Sequence, residues 1–144
     1  SGNWESFKIE NAEQFLIDSG ASWLFRKFAA LMMTKTIYQT IKQNGDEFEI
    51  NIQVMGKKQS LKFKVDGFKT EYEFKNIKGD TVKARYSWND DKTKLLIKNE
   101  NVTQKIGGDA ERYLLDDETH GKITITTIKN KKGTVMKQYW KKSK

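Results

Sequence analysis

Residues 44–54 read Asn-Gly-Asp-Glu-Phe-Glu-Ile-Asn-Ile-Gln-Val. Asn44-Gly45 accepts the positive φ angles that a tight hairpin turn requires. After it, Phe48, Ile50, Ile52 and Val54 alternate with Glu47, Glu49, Asn51 and Gln53. A period of two puts all four apolar side chains on one face of a strand and the polar ones on the other. The same period holds from Thr36 onward. Leu61, Phe63 and Val65 alternate with Lys62 and Lys64, and Asp66-Gly67 turns the chain into a strand expected over Phe68–Phe74. Val82, Ala84, Tyr86 and Trp88 alternate with Lys83, Arg85 and Ser87, and Asn89 to Lys92 forms the next turn. Thr93–Asn99 is expected to be a strand. Gly107-Gly108 reads as a turn before Ala110–Leu115, and Asn130 to Gly133 as the turn before Val135–Trp140. Between them Ile123, Ile125 and Thr127 read as one face.

The period is different upstream. Residues 12–33 are expected to form two short helices. Asn11 with Gln14 has capping-box spacing, Gly20 suits a left-handed C-terminal position, and Ser22 can cap the second helix. The pattern as a whole is ten short strands with one helical pair, in a single domain spanning 1–144. This favours an all-β, antiparallel fold, an up-and-down barrel or a sandwich. The positions read as inward include polar Gln39, Arg112, Thr127 and Gln138. A dry core does not tolerate such groups unpartnered, whereas a barrel enclosing a ligand cavity does.

Composition narrows the function. The 144 residues carry 27 Lys plus Arg against 19 Asp plus Glu, a net charge of +8. Cysteine and proline are absent and there is one histidine, which excludes disulfide frameworks, thiolate metal sites and multi-histidine centres. His120 beside Asp116, Asp117 and Glu118 reads as a solvated turn, so no metal or other cofactor is expected. No nucleophile–base order or phosphate loop points to an enzyme. Nucleic acid is not expected either: Tyr38, Tyr113 and Tyr139 form no evident stripe among the lysines. No apolar run reaches the roughly 18 residues of a membrane span, and the expected location is cytoplasmic.

Residue order and spacing along nearly the whole chain resemble the intracellular lipid-binding proteins, the group of fatty-acid-binding and cellular retinoid-binding proteins. The resemblance rests on Gly2-x-Trp4, Glu10-Asn11 with Phe15-Leu16, Gly20, Arg26-Lys27, Ala29, Gln43-Asn44-Gly45-Asp46 with Phe48 and Ile50, and Leu61 with Phe63-Lys64. It implies a lipocalin-like (calycin) ten-stranded barrel with a helix–turn–helix lid at about residues 12–33. It also implies a monomeric carrier of a long-chain fatty acid or related lipid, with retinol or retinal as the alternative cargo.

The resemblance further implies that Arg112, ahead of Gly121-Lys122, takes the place of a carboxylate-binding arginine. Read without it, Arg112 is expected instead to pair with an acid on a neighbouring strand. The family's terminal R-x-Y becomes ambiguous in Met136-Lys137-Gln138-Tyr139-Trp140. One register puts Gln138 and Trp140 inward with Met136 and is favoured because it sends Lys137 and Lys141 to water. The other uses Lys137 and Tyr139. Ile50, Ile52, Val54, Phe63, Tyr86, Ile125 and Met136 would line the cavity. Arg26, Lys27, Met55, Gly56, Lys57 and Lys58 would ring a portal, with Gly56 standing where the family often has Phe. Together with Trp23, Leu24, Phe25 and Phe28, these basic residues imply transient contact with anionic membranes.

Overall fold

The computed structural model describes residues 2–143. Ten strands are present: β1 (Gly2–Glu10), β2 (Tyr38–Asn44), β3 (Glu47–Val54), β4 (Lys57–Lys64), β5 (Tyr72–Lys75), β6 (Thr81–Trp88), β7 (Lys94–Asn101), β8 (Ile106–Asp117), β9 (Gly121–Asn130) and β10 (Val135–Lys142). Helices α1 (Ala12–Asp18) and α2 (Trp23–Met33) lie between β1 and β2. The strands form one antiparallel sheet in the order β4-β3-β2-β1-β10-β9-β8-β7-β6-β5. It is an up-and-down barrel in which β1 returns to pair with β10, and Ser143 N–H donates to the Asn3 carbonyl beside that pair. No described helix is long and apolar enough to cross a membrane.

The sheet carries no hydrogen-bonded ladder between β4 and β5. Side chains close this seam. Phe63 of β4 stacks on Tyr86 of β6 at 3.6 Å between centroids and on Phe48 of β3 at 5.2 Å. The Lys64 amide donates to Tyr72 Oη at 3.0 Å, and Trp88 Nε1–H donates to Asp46 at 2.9 Å. Trp4, Ile41, Ile50, Val65, Ala84, Leu95 and Trp140 complete the buried cluster around these rings.

Helix α1 ends as expected. Gly20 has φ of +80°, its amide donates to the Ile17 carbonyl, and Ala21 donates to Leu16, the paired bonds of a Schellman closure. Ser22 Oγ accepts from Phe25 N–H and starts α2. The start of α1 differs from the sequence expectation. Asn11 is left-handed, with φ of 61°, and makes no side-chain cap. Its Nδ2 donates instead to the Val135 carbonyl, and Gln14 bonds Asp18. Asn11 thus spends its amide on β10, so no capping box forms.

Three strand boundaries also differ. Phe68 has φ of 64°, and Asp66 accepts bonds from Lys69 N–H, Thr70 N–H and the Thr70 hydroxyl. This local turn removes 66–71 from the sheet and shortens β5 to four residues. Strand β7 starts and ends later than Thr93–Asn99. Gly107 and Gly108 lie inside β8, and the turn falls at 102–105, where Asn101 Oδ1 accepts from Gln104 N–H. Gly108 is required by close approach: a Cβ there would overlap the Lys129 carbonyl oxygen of β9. Gly108→Ala is expected to cost roughly 1–3 kcal/mol, as overpacking does, read as a lower urea midpoint. An unchanged midpoint would mean the two strands separate freely there.

Candidate functional site

Directly opposed residues on neighbouring strands point to the same side of a sheet, so the register sorts each side chain as inward or outward. Leu95, Arg112, Thr126, Gln138 and Ile9 form one row across β7, β8, β9, β10 and β1. Thr124, Trp140 and Ser6 form the next row. Both face inward, because Trp140 and Leu95 belong to the buried cluster. The Arg112 guanidinium lies 5.5 Å from the Trp140 ring centroid, within cation–π range.

Arg112 lies deep in the barrel, and burial alone pushes its pKa down to about 10. Among the described residues no carboxylate reaches it, and its Nη2 has no hydrogen-bond partner. The reading of Arg112 as half of a strand-to-strand ion pair therefore fails. Part of its surface is nonetheless accessible, as are parts of Ile52, Ile97, Met136 and Gln138, which face inward in the same register. A core packed to ordinary protein density would cover all of them. The interior beside Arg112 is thus open space. Buried partnerless atoms also include Gln39 Oε1, Thr126 Oγ1 and Trp140 Nε1, all on inward positions.

The structure brings Arg112, Gln138 and Trp140 together. Lys137 and Tyr139 face outward, so the alternative register does not occur. The Tyr139 hydroxyl bonds Glu10, which pushes its pKa up to about 12, and its ring packs against Phe7 outside the barrel. Of the residues expected to line the cavity, Ile50, Phe63, Val54 and Tyr86 are buried, and Ile52 and Met136 are partly buried.

Ile125 is a correction. It pairs with Tyr113 and Tyr139 in an outward row that Lys94 and Lys8 extend, and is buried there under outer-face rings. Thr127 likewise faces outward, opposite Lys137 and Glu111, and Thr126 takes the inward place. That row also places Tyr113 and Tyr139 in one stripe, each ring beneath its own lysine, contrary to the sequence reading. His120 contacts Asp117 at 3.0 Å and packs at a tilt against the Phe7 ring.

At the helical end, Met55 and Gly56 have φ of 52° and 72°, a two-residue primed turn between β3 and β4. Met55 is exposed. Lys57 Nζ lies 5.8 Å from the Phe28 centroid, which sets this turn against α2. Lys78 does the same from the turn before β6, 5.2 Å from Phe25, a contact with no sequence signal. Lys27 lies 4.0 Å from the Trp23 ring, and Lys58 is exposed. Arg26 Nε is buried without a partner. Helix α2 buries no residue fully, and Trp23 and Leu24 are 58% and 70% exposed. In contrast, α1 is tied to the barrel: Asn130 Nδ2 donates to the Phe15 carbonyl and to Ser19 Oγ, and the Thr134 hydroxyl donates to Asp18.

No protein-family model matches the chain. It is 32% identical over 88 residues to human cellular retinoic acid-binding protein 2, covering 61% of each chain. It is 27% identical over 100 residues to human retinoid-binding protein 7, covering 69% of this chain and 72% of that protein. The first match thus spans about 61% of that relative's length. Among solved structures, a Schistosoma mansoni fatty acid binding protein in complex with arachidonic acid superposes with a TM-score of 0.73 at 21% identity, over 99% of this chain and 95% of that one. A REP1-NXSQ fatty acid transporter superposes with a TM-score of 0.75 at 17% identity, over 100% and 96%. In sequence the chain is similar to retinoid-binding proteins over part of its length, and in fold it is similar to solved fatty-acid-binding structures over the whole barrel.

Proposed function

We propose that this chain is an intracellular, single-domain, monomeric carrier that reversibly binds a hydrophobic acid, a long-chain fatty acid foremost, inside the barrel. The observation that carries this reading is Arg112, a buried guanidinium with no anionic partner whose surface the surrounding interior leaves partly accessible. A desolvated cation of this kind is costly until an anion meets it, and guanidinium geometry suits a carboxylate held by two bonds. Gln138 offers one neutral hydrogen bond beside it. Apolar contact along Ile52, Phe63 and Met136 supplies most of the affinity, at about 0.8 kcal/mol per buried methylene. The chain performs no chemistry on its cargo in this reading.

The neutral Gln138 and the retinoid-binding relatives support a second cargo, a retinoid. Competitive displacement of a fluorescent lipid probe by oleate, retinoic acid and retinol separates these readings. Displacement by oleate supports the fatty-acid carrier. Displacement by retinoic acid alone keeps Arg112 as the anchor and changes the chain it holds. Retinol as the best competitor overturns the anchor, and failure of all three overturns the carrier reading.

Cargo exchange would run through the α2 end. Exposed Trp23 and Leu24 among Lys27, Lys57 and Lys58 suit an anionic bilayer, where each basic side chain near the surface contributes about 1 kcal/mol. Binding to phosphatidylserine-containing vesicles is expected to fall with added salt, and Lys57→Glu with Lys58→Glu should weaken it roughly tenfold or more. Salt-independent binding unaffected by the double variant would rule this surface out.

A further inference from the structure

Resting on the carrier reading, we infer that the cargo bears a hydroxyl group apart from its acidic head, and that Gln39 accepts a hydrogen bond from it. Gln39 on β2 is nine-tenths buried. Its inward position is fixed by Trp4 on β1 and Ile52 on β3, its two directly opposed neighbours. Neither bonds the Gln39 carbonyl oxygen: the Trp4 indole N–H is a donor but does not reach it, and Ile52 is wholly apolar. Oε1 accordingly has no hydrogen-bond partner among the described residues.

The other partnerless inward atoms group differently. Arg112 Nη2 and Trp140 Nε1 are donors, and with Thr126 Oγ1 they belong to the two rows on β8, β9 and β10. These donors suit an acceptor, the carboxylate. Gln39 Oε1 is an acceptor two strands beyond β10, in the row of Trp4, and the carboxylate at Arg112 cannot satisfy it. A plain alkyl chain lying past Gln39 would leave that oxygen desolvated and unbonded. A chain bearing a hydroxyl at the right carbon would satisfy it, and sites built to bond a substrate hydroxyl reject analogues lacking it. The interior is thus complementary to a lipid with an acceptor at one end and a donor along its length, such as a hydroxylated fatty acid.

The test is calorimetric titration of the delipidated full chain with stearate and a series of hydroxystearates differing only in hydroxyl position, repeated on Gln39→Leu. Leucine keeps the volume and removes the acceptor, and folding of the variant is checked by its circular dichroism and melting. At least one hydroxystearate is expected to bind about tenfold tighter than stearate, the scale of one buried hydrogen bond. That preference should vanish in Gln39→Leu while stearate affinity holds or rises. The inference is overturned if stearate binds as tightly as every hydroxystearate, or if the preference survives Gln39→Leu. It is equally overturned, by way of the carrier reading, if stearate and all hydroxystearates fail to bind. Stearate binding by itself distinguishes the two failures.

Discussion

Arg112→Met makes the ligand-free protein more stable while weakening its hold on a fatty acid. Both halves come from one physical fact. Burial lowers the Arg112 pKa, so the folded state resists carrying that proton more than the unfolded chain does. Linkage fixes the sign. A cation whose pKa is lower in the folded state costs stability at every pH below that value, and the cost fades as pH climbs through about 10 toward the unfolded value. Methionine fills similar space without charge, so the variant is expected to gain roughly 1–4 kcal/mol near neutral pH, the range seen when buried charges give way to apolar groups. The same change removes the carboxylate's charged partner and weakens acid binding by roughly 1–3 kcal/mol. Chemical denaturation and oleate titration of one preparation read the two effects. A variant less stable than the parent, or one that binds oleate unchanged, removes Arg112 from the anchor role.

Phe63→Ala carries the largest expected loss of stability. Phe63 is buried, stacks on Tyr86 and Phe48, and stands at the seam where no ladder joins β4 to β5. Removing a buried aromatic ring costs about 3–5 kcal/mol. Here the loss also takes the packing that holds Tyr72 against Lys64. The Lys64 amide should therefore exchange with solvent deuterium much faster in the variant, while amides in the β8–β9 hairpin change only with global stability. Protection at Lys64 equal to the parent's would show that the seam holds without the ring.

Strands with a clean apolar face were legible in the sequence itself. Residues 47–54 and 81–88 alternate without ambiguity, and both faces follow. Strand β9 was not legible in the same way. Its Ile-Thr-Ile-Thr-Thr run, residues 123–127, offers two faces of similar β propensity, and an apolar-inward rule selects Ile123, Ile125 and Thr127. The barrel does the reverse, because its interior there is polar around Arg112 and because Tyr113 and Tyr139 cover Ile125 from outside. A one-residue slip moves every side chain to the opposite face, so the error reached both Ile125 and Thr127. The inward placement of Gln138 and Trp140 was legible because β10 holds lysines that resist burial and thereby pin its register, whereas Arg112 on β8 was legible only through the family resemblance. The Asn11 cap failed for a different reason: its partner, the Val135 carbonyl, is 124 residues away, and local spacing carries no sign of it.

The pairing of β1 with β10 also orders events during synthesis. The first strand made has only β2 as a neighbour until the last strand is complete. Until then Trp4 and Ser6 line an open margin rather than a closed wall. Joining β1 to β10, far apart in sequence, is a slow, long-range closure, and translation makes β10 after the other nine strands. A nascent chain stalled before residue 135 would hold most of its hairpins and still display the unpaired edge of β1, a strand-shaped invitation to any other chain in the same condition.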